Sequence, residues 1–393
     1  MNKLYLFNPD HELALANFDP NYMPSSNVQR LATDLALLPV WYADEKDSVL
    51  APSAYNKIFL EEMQQFFPHL PSLCSAVDMG LTDCELQPSP WGWNPVVLNK
   101  LHRLGMRPDK LLSQEELQEL RVYSSRLLAV ELLPKLVLNE NFCGESHYFT
   151  HIEEICDYVE SRDDSILKAP LSSSGKGLIW CEGKFTLPTK QWCTHILKQQ
   201  GGVVAEPLYK KELDFSMQFH VNKWGVITFA GYSLFRTTAS GAYMGNWLTN
   251  NDRIVEKINK YVPKSTLMEL RLKLVEELSR IIPKAHVGYF GVDMMVCRSN
   301  NGSAYKIHPC VEINLRMTMG MVCRSLYDHY LHPGVSGNFL VDFYPSSRKL
   351  KITTELYRKT NPLIIIDGKI AKGYLPLVPV TPDSHHHAWA LIS

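Results

Sequence analysis

The sequence lacks a surplus of either charge. Its 40 Lys+Arg stand against 41 Asp+Glu, a formal net charge of −1 over 393 residues. A chain that lives on nucleic-acid phosphates carries a basic excess or a basic stripe, so nucleic acid as the main partner is excluded. Long hydrophobic runs are missing too. The stretch from Pro362 to Ile366 falls far short of the roughly 18 apolar residues that span a bilayer, so no membrane partner is expected. The N-terminus meets Asn8, Pro9, Asp10, His11 and Glu12 almost at once and offers no apolar signal-peptide region. The nine cysteines, at 74, 84, 143, 156, 181, 193, 297, 310 and 323, form no CxxC pair. A scattered, odd number reads as free thiols in a reducing compartment, and a cytoplasmic enzyme is expected. Repeats, low-complexity tracts and a convincing nucleophilic triad are also lacking.

What is present is ordinary globular usage, 45% hydrophobic and 21% charged, with length for two or three domains. KLYLFNPD reads as a short strand broken by a turn, Ser26–Leu38 as a helix, and the apolar run Leu37–Ala43 as a second strand. Together they suggest an open α/β domain. Helical patterns follow over Tyr55–Phe67, Asn94–Leu104 (ending at Gly105) and Gln114–Leu133, the last stopped by Pro134. From about residue 137 short β-rich runs take over, at 165–168, 177–181, 203–206, 213–221 and 225–232. A helix over Ser265–Ile282, a hairpin of His286–Cys297 with Ala304–Asn314, and a C-terminal hairpin over 362–380 complete the pattern.

Four segments carry chemistry. In the first, a strand ending in Lys168 passes into a small-residue loop, Ser172, Ser173, Ser174, Gly175, Lys176 and Gly177. Such a loop can cradle phosphate oxygens with backbone N–H groups, or be a mere flexible turn; it is not a Walker A motif. In the second, a hydrophobic strand ends in Glu206-Pro207-Leu208, with Glu212 and Asp214 beyond it. A carboxylate here can take a purine amino group or ribose hydroxyls, and the Pro207–Leu208 backbone can meet an adenine edge; the plain alternative is an exposed acid at a strand end. The third places Arg236 at the close of a strand, where a guanidinium meets a phosphate or makes a surface ion pair. The fourth is the sharpest: Asp293 in GVDMMV, then His308-Pro-Cys-Val-Glu312-Ile-Asn314-Leu-Arg316. Residues two apart on a strand share a face, so Glu312, Asn314 and Arg316 line one side, with Val311, Ile313 and Leu315 on the other. Two carboxylates and an amide oxygen suit Mg²⁺ held together with nucleotide phosphates.

This order of elements resembles the ATP-grasp superfamily over roughly residues 119–330, most closely its carboxylate–amine ligases. The resemblance implies an α/β (α+β) fold with two lobes gripping ATP, preceded by an open α/β domain. The implied division is 1–118, 119–345 (lobes about 119–205 and 206–345) and a β-rich 346–393. It implies that Lys168 and Ser173, Ser174, Gly175, Lys176 and Gly177 serve the phosphates, and that Glu206, Pro207 and Leu208 serve the adenine. Glu212 or Asp214 would hold the ribose, the spacing favouring Glu212. Asp293, Glu312 and Asn314 would bind Mg²⁺ (or Mn²⁺), and Arg236 and Arg316 would serve catalysis. A further basic residue of the first lobe is Arg126 or Lys135. The implied reaction is activation of a small carboxylate as an acylphosphate, attacked by an amine; a phosphotransferase and a non-catalytic nucleotide-binding module are the alternatives. A homodimer fits the general habit of soluble enzymes. Asn8–Glu12 is either an acceptor contact or a plain turn, Trp91-Gly-Trp93 packs the N-terminal domain on the grasp, and His385–His387 reads as a solvated tail.

Overall fold

The computed structural model describes residues 2–74, 85–172, 175, 177–282, 284–299, 302 and 304–393. The N-terminal part is an all-parallel sheet of β1 (Lys3–Leu6), β2 (Ser48–Val49), β3 (Ser72–Leu73) and β4 (Gln87–Pro90), in the order β3-β2-β1-β4. Around it lie α1 (His11–Asn17), α2 (Ser26–Asp34), α3 (Ala54–Gln64) and α4 (Pro95–Arg103). The expected second strand over 37–43 is instead a 3₁₀ turn, Leu38–Trp41, with all four residues buried. Pro39 has no N–H to give a ladder, and burial on every side removes the need for alternation.

Two helices, α5 (Gln114–Tyr123) and α6 (Arg126–Leu136), lead into the next part. Ser113 and Glu116 close a capping box at the head of α5. Pro134 does not stop α6 but sits inside its last turns. A four-stranded antiparallel sheet then forms a small lobe from β5 (His147–Phe149), β6 (Ser165–Lys168), β7 (Leu178–Cys181) and β8 (Val203–Pro207), ordered β5-β8-β6-β7. Its helices, α7 (Ile152–Glu160) and α8 (Leu187–Gln200), bury Ile155, Val159, Cys193 and Ile196 against Leu167 and Val203.

The rest is one nine-stranded sheet. Its strands are β9 (Lys210–Val221), β10 (Ile227–Thr237), β11 (Tyr243–Leu248), β12 (Gly288–Arg298), β13 (Tyr305–Asn314), β14 (Gly337–Phe343), β15 (Ile364–Ile366), β16 (Lys369–Pro376) and β17 (His386–Ile392). They run in the order β13-β12-β9-β10-β11-β14-β17-β16-β15, every pair antiparallel. Helices α9 (Asn251–Ile258) and α10 (Lys264–Ile281) share a core with β9, β10, β12 and β13. Helix α11 (Met319–Tyr330) shares another with the N-terminal residues Leu35–Trp41, and α12 (Ser347–Thr360) lies by β16.

The histidine run is no solvated tail: His386 and His387 open β17 and are buried. His386 Nδ1 lies 3.2 Å from Asp34 Oδ2, and His387 Nε2 lies 2.6 Å from the Tyr374 hydroxyl. Alternation points the two rings to opposite faces, and both faces of the sheet are covered there. Burial, with Arg358 nearby, pushes His387 down to about 3. Trp91 behaves as the sequence suggests. Its carbonyl accepts from Met317 N at 2.9 Å, and its ring packs edge-on against Phe7, joining the N-terminal sheet to the segment after β13.

Candidate functional site

A cavity of about 700 Å³ opens where the small lobe, the nine-stranded sheet and the N-terminal part meet. At one end β6 and β8 pair so that Ile166 faces Glu206 and Lys168 faces Val204. Lys168 and Glu206 therefore lie diagonally on one face. Lys168 Nζ donates to Glu206 Oε2 at 2.6 Å, with only 7% and 5% of these side chains exposed. Ser146 Oγ donates to the other Glu206 oxygen at 3.1 Å. Burial alone pushes the Glu206 carboxyl up, but Lys168, His308 and the two hydrogen bonds together hold it below the ordinary carboxylate range. Pro207, Leu208 and Tyr209 continue the wall.

Across the cavity, β12 and β13 set Asp293 directly opposite Glu312. Asn314 Nδ2 donates to Asp293 Oδ2 at 3.0 Å, and Arg316 donates to Asn314 Oδ1 at 2.9 Å. The Arg316 Nε–H also bonds the buried Glu12 of α1. Glu12 feels burial first, which pushes it up, but Arg316 and His11 outweigh this and hold it low. Arg126, the first residue of α6, bridges Ala169 O at 2.6 Å, Ser172 Oγ at 2.7 Å and Glu312 Oε2 at 3.0 Å. Lys135, two turns on, points outward to Glu277 at 3.5 Å, so Arg126 is the basic residue of the first lobe that reaches the cavity.

Burial, then the neighbouring Glu312, push Asp293 up to about 7 against the opposing pull of Arg316. Two carboxylates crowded at one place favour a proton or a cation between them. Their donors are hard oxygens, and among the described residues no three His, Cys, Asp or Glu side chains form a closed metal cage. That combination fits a divalent cation whose other ligands are phosphate oxygens and water.

No protein-family model matches the sequence, and a search of curated proteins finds no match. Solved structures do match in shape. The biotin carboxylase of Campylobacter jejuni, as its β-γ-ATP complex, superposes with a TM-score of 0.54 at 10% identity, over 100% of this chain and 88% of that one. An N5-carboxyaminoimidazole synthetase from Staphylococcus aureus, complexed with ADP, gives 0.50 at 10% identity over 100% and 93%. The biotin carboxylase domain of the Hydrogenobacter thermophilus 2-oxoglutarate carboxylase gives 0.50 at 11% over 100% and 86%. All three are ATP-grasp structures. This chain has the ATP-grasp fold.

Within the ATP-grasp frame most of the expected residues come together. Lys168, Gly175, Glu206, Pro207, Leu208, Asp293, Glu312, Asn314 and Arg316 all line the cavity. Gly175, at φ +69°, packs on Gly241 and Ala242; a Cβ there would come within 2.8 Å of the Ala242 nitrogen. Gly177, at φ +71°, packs on Ser172, and its carbonyl accepts from Ala169 N at 2.8 Å. Ser173, Ser174 and Lys176 lie outside the described residues.

Three expectations fail. Arg236 is exposed, and it is Phe235 and Thr237, not Arg236, that line the cavity. Glu212 is turned away to Arg298 at 3.1 Å, while Asp214 lines the cavity, bonded by Lys211 at 2.6 Å and Thr237 at 3.0 Å. A bulge explains this. Cys297 pairs with Lys211 but Val296 with Leu213, leaving Glu212 as the extra residue and bringing Lys211 onto the Asp214 face. Val311 also lines the cavity, because β13 bulges between its pairings at Glu312 and His308. Sequence reading missed the uncharged wall of Ser216, Gln218, Ser233, Asn246, Tyr243 and Thr318 as well. Its only signal is the polar alternation Ser216, Gln218 within the apolar run Phe215–Phe219.

Proposed function

We propose that this chain is an ATP-dependent, ADP-forming carboxylate–amine ligase. The observation that carries the reading is one cavity with a buried Lys168–Glu206 pair at one end and Asp293, Glu312, Asn314 and Arg316 converging at the other. In this reading the adenine lies against Glu206–Leu208, the ribose reaches Asp214, and Lys168 and Arg126 face phosphate oxygens. Asp293, Glu312 and Asn314 would hold Mg²⁺ or Mn²⁺, which when bound neutralises phosphate charge. A substrate carboxylate oxygen forms a bond to the γ-phosphorus as the bond to the ADP oxygen breaks. The resulting acylphosphate is attacked at its acyl carbon by an amine, the amine loses a proton, and inorganic phosphate leaves. The work asked of the protein is positioning and charge stabilisation, and Arg316, braced by Glu12, supplies a fixed guanidinium for the anionic intermediate. Cys143, Cys156, Cys181, Cys193, Cys297, Cys310 and Cys323 are free thiols, and among the described residues no helix is long and apolar enough to cross a membrane; we place the enzyme in the cytoplasm.

Thermal unfolding with ATP, ADP and GTP, each with and without Mg²⁺, tests the nucleotide half. A ligand that binds only the folded state at about 100 times its Kd adds roughly 2.7 kcal/mol. A Mg²⁺-dependent shift with adenine nucleotides is expected, and no shift with any nucleotide overturns the proposal. Glu312→Ala should abolish ADP formation with the fold retained by circular dichroism; full activity in that variant would remove the metal assignment.

A further inference from the structure

Beyond the nucleotide groups, one wall of the cavity is built from buried, uncharged hydrogen-bonding side chains. Ser216 lies directly opposite Asp293 on β9, and Ser233 directly opposite Ser216 on β10. This wall therefore begins beside the acidic pair. Thr318 Oγ1 donates to Gln218 Oε1 at 2.6 Å, and Gln218 Nε2 donates to Ser216 Oγ at 2.7 Å. In parallel, Tyr243 donates to Asn246 Oδ1, and Asn246 Nδ2 donates to Ser233 Oγ. Ser216, Gln218, Ser233 and Asn246 are each 4% exposed or less.

The two chains fix what remains unused. Each amide oxygen already accepts one hydrogen bond, while each amide nitrogen keeps a second hydrogen and each serine keeps its own O–H. The free groups are donors, so their ligand presents oxygen. Helix α11 packs its backbone on this wall at Gly320, where a Cβ would sit 2.8 Å from both Gln218 Nε2 and Ser233 Oγ, and the wall's four polar side chains still line the cavity.

Charge narrows the ligand further. The described lysines and arginines lining the cavity are each matched by a carboxylate: Arg126 by Glu312, Lys168 by Glu206, Lys211 by Asp214 and Arg316 by Glu12. His386, at the rim, has Asp34 behind it. Away from the donors the lining includes the apolar Phe7, Val28 and Leu31 from the N-terminal part, Met319 from α11 and Val341 from the large sheet, with the acid Asp342, which accepts from Trp389 Nε1 at 2.8 Å, beside Val341. A second anionic group would have to lose its hydration against these side chains with no counter-ion.

Resting on the ligase reading, we infer that the activated substrate is a small monocarboxylate with an apolar body. Its carboxylate oxygens meet the Gln218–Ser216 and Asn246–Ser233 donors beside Asp293, and its body lies against Val28 and Leu31. Hydroxylamine trapping on the full-length chain tests this. Hydroxylamine displaces phosphate from an acylphosphate and leaves a hydroxamate, so no natural amine is needed. With MgATP and hydroxylamine, L-leucine and L-phenylalanine should give hydroxamate and ADP at least ten times faster than L-glutamate or O-phospho-L-serine. Gln218→Ala should lower kcat/KM for leucine at least tenfold with the KM for ATP unchanged, and Leu31→Arg should move the leucine-to-glutamate ratio toward glutamate. Preference for glutamate or phosphoserine, or hydroxamate from none of the four while MgATP still raises the melting temperature, overturns the inference alone. Loss of the MgATP shift itself brings down the ligase reading beneath it.

Discussion

Lys168 and Glu206 show why single residues in this site resist a one-role description. Sequence order assigns the lysine to phosphate and the acid to adenine, yet the two side chains share a buried ion pair at 2.6 Å. Removing one partner strands the other. Lys168→Met should cost about 3–5 kcal/mol, the scale for breaking a buried pair, and the loss should depend on pH with a definite sign. The Glu206 carboxyl sits below its ordinary value in the folded chain, so its contribution is present above the unfolded pKa and fades as pH falls through the folded one. The gap between parent and variant in urea melts should thus be full at pH 7 and shrink below about 4.5, the ordinary carboxylate range. The double variant Lys168→Met, Glu206→Gln should recover part of the loss at pH 7. A penalty that is flat with pH would mean the pair contributes packing and not charge.

At the scale of elements, the site was legible where strands run regularly and illegible where they do not. Alternation along β13 correctly placed Glu312, Asn314 and Arg316 on one face, and the hairpin brought Asp293 opposite. For the ribose the spacing favours Glu212 over Asp214, and the bulge at Glu212 turns that side chain away to Arg298. An extra residue in one strand shows only when the pairing strand is known, and no local composition announces it here. Arg236 failed for the related reason that parity decides which of two neighbours sees the cavity: Phe235 and Thr237 do. The bulge gives a clean contrast. Asp214→Ala should weaken MgATP at least tenfold in a binding titration, while Glu212→Ala, losing only an exposed pair with Arg298, should leave it within twofold. Equal effects would mean that the bulge does not select the ribose-side acid.

For the whole molecule, a division at 118 and 345 is an expectation from the sequence, and contacts cross both positions over long range. Residues after 345 do not form an appendage: β17 inserts between β14 and β16. Ile370, Leu375, Leu377, Val378, Ala388, Ala390 and Ile392 join the N-terminal Leu35–Trp41 segment and α11 in one core. Trp41 Nε1 even donates to Leu377 O at 2.7 Å, across 336 positions of sequence. Such closure is invisible to composition, because a strand reads alike whether its neighbour is ten or three hundred residues away. The apolar lining residues Phe7, Leu31, Met319 and Val341 belong to this core or pack on it. A chain ending at Pro345 would leave the β14 edge unpaired and an apolar face bare, the condition for edge-to-edge aggregation. Such a truncation should express as aggregate or unfold without a cooperative transition. A truncated chain that stayed monomeric in size-exclusion chromatography and kept a Mg²⁺-dependent ATP shift would instead make residues 346–393 a separable module. The cavity wall at Val341 would then keep its shape without β17 beside it, contrary to the shared core that now holds β14 in place.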